Sequence, residues 1–411
     1  MLTFFPTPYP GEWWYSVLSR WFVRSGYIDQ AAGLRELYGY VEMKHGLLFP
    51  GPSCIAISKK IPAAAFDVVQ IVLQHTLLPY YTRFMERSAK ETILDAYASG
   101  SGSRMTNMDY NTLEGGYGPR YCPLCYREDR EAYGEPYWHT EHQVPLMPLC
   151  PKHHCRLKTT DVTWKIQLKR FYPLSEVPCG GPGTKIKDWE ITLSQVLSDY
   201  VRLPYFDGPS RDYNNLVWRL ISDGYGAPRF LKKGALDAQK LQSACLQFFG
   251  PKIMDKYFNQ ADHNIFYRTV NWVFKTPERF GLLETFAGLS TSELFGPDLA
   301  EQSGIGDRLI EIQHDGARHG QEELLRTLNI NSCQLEMIAE KYGVPLFWKQ
   351  KYGKGEKERT KQLNLCVTFE EKELVREMAA LQGSKQPSVF ARMVLIKHLQ
   401  EIKAKTTGGH V

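Results

Sequence analysis

The sequence predicts a mainly α, multidomain protein, and three observations carry that expectation. Apolar side chains recur at spacings of three and four through many short windows, the period of a helix that buries one face. Strand-like alternation is confined to 159–185 and to Leu365, Val367 and Phe369. Two Cys/His pairs near the middle bracket one stretch with metal-ligand spacing. The 411 residues allow two to four domains at about 150 residues each.

In chain order, Trp13, Val17, Trp21 and Arg24 predict a helix over 12–24 that Ser25-Gly26 ends. Asp29 predicts the cap of a second helix over 29–38. Helix, Gly turn, helix fits a helix-turn-helix, and it fits plain bundle packing equally well. Helical patterns follow over 64–74 and 87–97, and then "ASGSGSRMTNMDYNTLEGGYG" reads as a loop. Trp164, Ile166, Leu168 and Phe171 suggest a β-hairpin beside the Cys/His stretch. Helices are expected again over 191–201, 212–222, 236–249, 263–275, 278–287, 321–328 and 333–341. The amphipathic segment 232–249, basic at its entrance, suits a DNA-reading helix or a bundle helix.

Composition narrows the class. The formal net charge is +5, which suits contact with nucleic acid without requiring it. No apolar run approaches the ~20 residues of a membrane span, and no leader is expected from "MLTFFPTPYPGEWW". Of nine cysteines, four crowd into one stretch. In a reducing compartment that pattern favours one metal site and buried thiols over a disulfide framework.

The stretch opens with Cys122-x-x-Cys125 and closes with Cys150-x-x-His153. Each pair lets two side chains reach one ion, and Pro123 and Pro151 stiffen the turns. The expectation is one structural Zn2+ held by Cys122, Cys125, Cys150 and His153. His154 and Cys155 are spare candidates for the fourth position. His153 is preferred because its spacing mirrors the first pair. His139, Glu141 and His142 offer a different reading, a zinc-dependent hydrolase or nuclease. A closed tetrahedron has no place for an activated water, so that reading ranks last.

These residues also resemble a family. "YCPLC…YGEPYWHTEHQVPLMPLCPKHHCRL" is similar to the finger of TnsD/TniQ target-selection proteins of heteromeric DNA transposons. The matching positions are Cys122, Pro123, Cys125, Tyr133, Gly134, Glu135, Trp138, Cys150, Pro151, Lys152, His153 and Leu157. "PTPYPGEWWYSVLSRWFVRSG" and "LQHTLLPYYTRF" resemble the family's opening and its middle segment. The resemblance implies a non-enzyme that binds a target DNA site and recruits an AAA+ regulator similar to TnsC. TniQ-type members imply the alternative, an adaptor on an RNA-guided Cascade-type complex. A bacterial, cytoplasmic, nucleoid-associated protein is the expectation. The chain has no Gly-x-x-x-x-Gly-Lys-Ser/Thr loop, since "GGPGTK" lacks the spacing. Tyr9, Glu12, Trp13 and Trp14 are the expected part of the ATPase-binding face.

Lys349 to Lys361 holds six Lys or Arg against Glu356 and Glu358, the pattern of a basic linker. Beyond it, strand, helix, Gly383 turn and helix resemble a ribbon-helix-helix module. In that reading Leu374, Met378 and Leu381 share one helix face. Such a module would fold as a homodimer through 363–402 and set Asn364, Cys366 and Thr368 toward DNA. The expected DNA contacts are Asn364, Thr368, Lys349, Lys351, Lys354, Arg359 and Lys361. The expected domains are 1–110 (helical, helix-turn-helix-like), 111–185 (zinc finger), 186–348 (helical), 349–362 (basic linker) and 363–402 (tail).

Overall fold

A computed structural model describes residues 2–39, 52–61, 67–99, 118–161, 171–183, 185–208, 214–226, 236–258, 276–297, 299–314, 319–346 and 368–381. It also describes the single positions 387, 391, 394, 395 and 397–399. The chain divides into two compact units, Met1–Trp348 and Lys349–Val411. The described residues are mostly helical, as the apolar periodicity demands. No helix among them is long and apolar enough to cross a membrane.

The first unit opens with an extended peptide that enters α1 (Trp14–Arg24). Nine consecutive residues of α1, Trp14 to Phe22, are buried. It is therefore a core helix, with Val23 and Arg24 exposed at its end. Gly26, at a φ of 72°, turns the chain in the left-handed region where a Cβ would be strained. The side chain of Asp29 then accepts from Ala31 N–H and starts α2 (Gln30–Tyr38). Four more helices complete this part: α3 (Pro52–Ser58), α4 (Val68–His75), α5 (Leu78–Thr82) and α6 (Arg87–Ser99).

The Cys/His stretch follows. Strand β1 (Arg120–Tyr121) leads into α7 (Pro123–Tyr133) and pairs antiparallel with β2 (Lys158–Thr159), Tyr121 opposite Lys158. Of the expected hairpin partners, Trp164, Ile166 and Leu168 lie outside the described residues. Phe171 is buried, with its ring 5.5 Å from Phe22 and 6.0 Å from Tyr15.

Downstream, α8 (Asp188–Arg202) packs along α12 (Pro277–Ala287). Gly281 permits that approach, because a Cβ there would stand 3.0 Å from Leu197 Cδ2. Around them lie α9 (Asn214–Leu220), α10 (Ala238–Phe249), α11 (Pro251–Phe258) and α13 (Thr291–Phe295). One hydrophobic core runs from Trp13 through the finger to Leu294, so the segments 1–110, 111–185 and much of 186–348 bury their apolar faces together. A smaller cluster of Trp218, Leu309, Leu324, Leu328, Leu335 and Ile338 holds α14 (Leu299–Gln302), α15 (Ile305–His314), α16 (Gln321–Leu328) and α17 (Ser332–Lys341). The expected helix 263–275 lies outside the described residues.

In the second unit, α18 (Phe369–Leu381) is the one continuous element among the described residues. Phe369 is helical, which corrects its assignment to a strand. Thr368 caps the helix: its hydroxyl accepts Glu371 N–H at 3.2 Å and its own N–H donates to the Glu371 carboxylate at 2.7 Å. Leu374, Met378 and Leu381 are 58%, 41% and 80% exposed, an apolar stripe left open among the described residues. Pro387, Ala391, Val394 and Leu399 are helical.

Candidate metal centre and the joint around it

Four donor atoms meet, and local structure explains each. Cys122 is the N-cap of α7, and its Sγ accepts Cys125 N–H at 3.4 Å, which sets both thiols at the positive end of the helix. Cys150 N–H donates to Cys155 C=O at 2.8 Å and His154 N–H to Cys150 C=O at 2.8 Å, closing a tight knuckle. His154 takes a φ of 50° within it. The donor atoms of Cys122, Cys125, Cys150 and His153 lie within 4.8 Å of one another.

The distances fit one tetrahedral ion. With bonds of about 2.3 Å to sulfur and about 2.0 Å to nitrogen, zinc sets thiolates about 3.8 Å apart and thiolate from imidazole about 3.5 Å apart. Cys125 and Cys150 Sγ are 3.7 Å apart. His153 Nδ1 lies 3.4, 3.3 and 3.6 Å from the sulfurs of Cys122, Cys125 and Cys150. The other ring nitrogen, Nε2, meets the Glu128 carboxylate at 3.0 Å, whose second oxygen takes Lys152 at 2.6 Å. A carboxylate behind a ligating imidazole fixes its tautomer and orientation. Three thiolates and one imidazole are a donor set for zinc, and when bound the ion would supply cross-linking.

Each residue of the hydrolase reading has another occupation or setting. His139 Nε2 pairs with Asp129 at 2.8 Å, and its ring stacks on Tyr137. Glu141 is held by the Arg202 guanidinium, with one contact of 2.8 Å, and by Ser198 Oγ at 3.2 Å. His142 is 3% exposed, and burial pushes its pKa down to about 3, so the ring stays neutral. A cleft of about 650 Å3 runs past Tyr9, His139, Glu141 and Arg202.

The finger is stitched to the N-terminal peptide. Thr140 N–H donates to Gly11 C=O at 2.9 Å, Trp13 N–H to Trp138 C=O at 2.7 Å, and Trp138 N–H to Ser16 Oγ at 3.1 Å. A buried ion cluster lies behind this seam. Arg20 donates to both oxygens of Glu12 at 2.8 and 2.7 Å and reaches Glu135 at 3.3 Å. Arg24 also meets Glu135, and Tyr9 O–H donates to it at 3.1 Å. The Arg20 guanidinium sits 3.8 Å over the Tyr9 ring. Thus the Pro-x-Pro-Tyr-x-x-Glu opening and the Tyr-Gly-Glu of the finger form one latch.

This corrects the expected ATPase face. Glu12, Trp13 and Trp14 are 0%, 0% and 1% exposed, because the carboxylate is bound by Arg20 and both indoles fill the core. Tyr9 is half-buried and lines the cleft.

The finger also grips α8. Arg156 forks onto Glu190 at 3.0 and 2.8 Å, and Ser194 Oγ accepts Leu149 N–H at 3.2 Å. Sequence reasoning passed over the companion contact. Arg83, fully buried, donates to the carbonyls of Tyr200, Leu203, Pro204 and Asp207 at 2.7–2.9 Å. Lys90 adds Tyr205 C=O at 2.9 Å. Together they satisfy carbonyls at the C-terminal end of α8, Tyr200 and Leu203, and in the turn that follows it, Pro204, Tyr205 and Asp207. A lone Arg and a lone Lys carry no periodic or spacing signal that announces this. Of the expected DNA contacts, Lys349, Lys351, Lys354, Arg359, Lys361 and Asn364 lie outside the described residues, while Thr368 is the exposed helix cap.

Residues 3–157 match the family model for TniQ. Over 152 residues the chain is 28% identical to the transposon Tn7 transposition protein TnsD of Escherichia coli. That match covers 36% of this chain and 30% of the relative.

Proposed function

The chain belongs to the TnsD/TniQ family through residues 3–157, and from that premise we propose that it selects a target site for transposition. In this reading it binds DNA and recruits an AAA+ regulator similar to TnsC to the insertion point. It performs no catalysis of its own. The observation that carries the reading is the joint built within the matched region. A donor set for one zinc ion, the Glu12–Arg20–Glu135 latch and the seam to Trp138 serve to hold helices in place. The tie between Glu141 and Arg202 supports the non-catalytic reading.

The protein's own DNA contacts are assigned to the basic run with Lys349, Lys351, Lys354, Arg359 and Lys361, and to Asn364 beyond it. Each phosphate neutralised there contributes about 0.9 to the salt slope of log K. The uncovered Leu374, Met378 and Leu381 stripe supports pairing of two tails as a homodimer. The test is selection from a random DNA pool with the purified full chain and no guide complex. Enrichment of one sequence is expected. No enrichment, with retained binding to an RNA-guided complex, would replace this reading with the adaptor. Deletion of 361–411 should lower the mass seen by light scattering.

A further inference from the structure

Beside the four donors that can share one ion stand two more, His142, whose Nε2 is 4.0 Å from Cys125 Sγ, and Cys155. Of these two, Cys155 belongs to the knuckle itself. Its Sγ lies 3.3 Å from Cys122 Sγ, and the residue is 5% exposed. Its carbonyl accepts Cys150 N–H at 2.8 Å, so it stands on the same rigid turn as Cys150 and His153. His153 is the donor placed to leave. Its side chain is 13% exposed, and its outer nitrogen is held by Glu128, which is 47% exposed. An imidazole on that side can swing toward solvent while the thiol waits inside.

We infer that Cys155 is a reserve ligand, which closes the ion's coordination as a fourth thiolate when His153 departs. The inference rests on the reading of the cluster as a metal site. The exchange balances without redox change. The bond from His153 Nδ1 to the ion breaks, the Cys155 S–H proton passes to water, and the thiolate forms the new bond. While His153 is bound, the Cys155 thiol donates its S–H to Cys122 Sγ, because two bare thiolates so close would repel.

The test uses full-length wild type, His153→Ala, Cys155→Ala and the double variant, each loaded with Zn2+ and separately with Co2+. Wild type should bind one equivalent. His153→Ala should keep one equivalent and gain thiolate-to-Co2+ charge-transfer absorption, as a fourth sulfur enters. The double variant should lose the ion to a chelator that leaves both single variants loaded. Wild type without an ion overturns the metal reading itself. Wild type loaded but His153→Ala empty, or loaded with no added charge-transfer intensity, overturns the reserve ligand alone. Should His153→Ala fail to fold, Cys155→Ala decides. It should surrender Zn2+ to the chelator roughly 10-fold faster than wild type, the lower end of what a lost supporting partner costs. Equal rates refute the inference.

Discussion

Replacing Glu284 by Gln should change how the first unit responds to pH. Glu284 lies in α12, fully buried. One of its oxygens accepts from Tyr200 O–H and the other lies 2.8 Å from the Thr291 hydroxyl oxygen. Burial pushes its pKa from 4.5 up to about 8, with the nearby carboxylates of Asp199 and Glu293 adding to the rise. The folded chain therefore keeps a proton on Glu284 that the unfolded chain has released once pH exceeds 4.5. The native state binds more protons across that window, so stability falls as pH rises toward 8. At about 1.4 kcal/mol per pH unit the loss sums to roughly 5 kcal/mol, an upper bound for a site that stays dry. Gln has the same shape, one acceptor for Tyr200 and one donor for Thr291, and no charge to gain. Urea denaturation of both proteins at pH 5, 6, 7 and 8 gives the difference curve. Near-equality at pH 5 and a widening advantage for Glu284→Gln toward pH 8 are expected. A flat difference, or one that shrinks with pH, would refute the buried protonated carboxyl.

Further substitutions probe the joint. Cys122→Ser combined with Cys150→Ser should release the ion and unfold the first ~160 residues, since a structural zinc contributes on the order of 10 kcal/mol. Elemental analysis and circular dichroism read this, and an unchanged melting temperature counts against it. Arg83→Met strips the carbonyls of Tyr200, Leu203 and Pro204 of this donor, while Asp207 C=O keeps Lys90 at 3.2 Å. At the low end of about 1 kcal/mol per stranded carbonyl, the cost is roughly 3 kcal/mol in urea, and a loss below 1 kcal/mol would deny the clamp. Glu135→Gln weakens the contacts to Arg20, Arg24 and Tyr9 and should cost about 2 kcal/mol, with faster proteolysis of the N-terminal peptide. Unaltered cleavage would show that the latch is idle.

What could be read from the sequence was what local chemistry writes. The Cys-x-x-Cys and Cys-x-x-His spacing placed the donors, and Asp29 announced the start of α2. The helices near 236–249, 278–287 and 321–328 formed close to the expected limits. What could not be read depends on distant partners. Trp13 and Trp14 were expected on a partner face, yet both indoles lie in the core, where their cover comes from segments far along the chain. Glu12 and Glu135 stand far apart in sequence, and neither neighbourhood names the other. Arg83 has meaning only once α8 ends against it. At Thr368 the opposite happened. The Thr-x-x-Glu capping box was present in the sequence and starts α18, so Phe369 is helical, while Leu365 and Val367 lie outside the described residues.

The location of the joint constrains where partners can sit. Trp13 and Trp14 have no exposed area to offer, and Glu12 is bound by Arg20, so substituting them attacks the core before any contact. A Trp13→Ala variant that fails to recruit an ATPase would report a cavity costing about 3–5 kcal/mol and would say little about a binding face. Tyr9 is different, because half of it is already at the cleft, although its hydroxyl and ring also serve the latch. The same peptide thus closes the latch on one side and lines the cleft on the other. Any partner that pulls on that peptide works against Glu12, Arg20 and Glu135, and through Trp138 against the finger. On the proposed reading a bound ion would act on recognition indirectly, by keeping the peptide's inner side fixed whichever molecule meets its outer side.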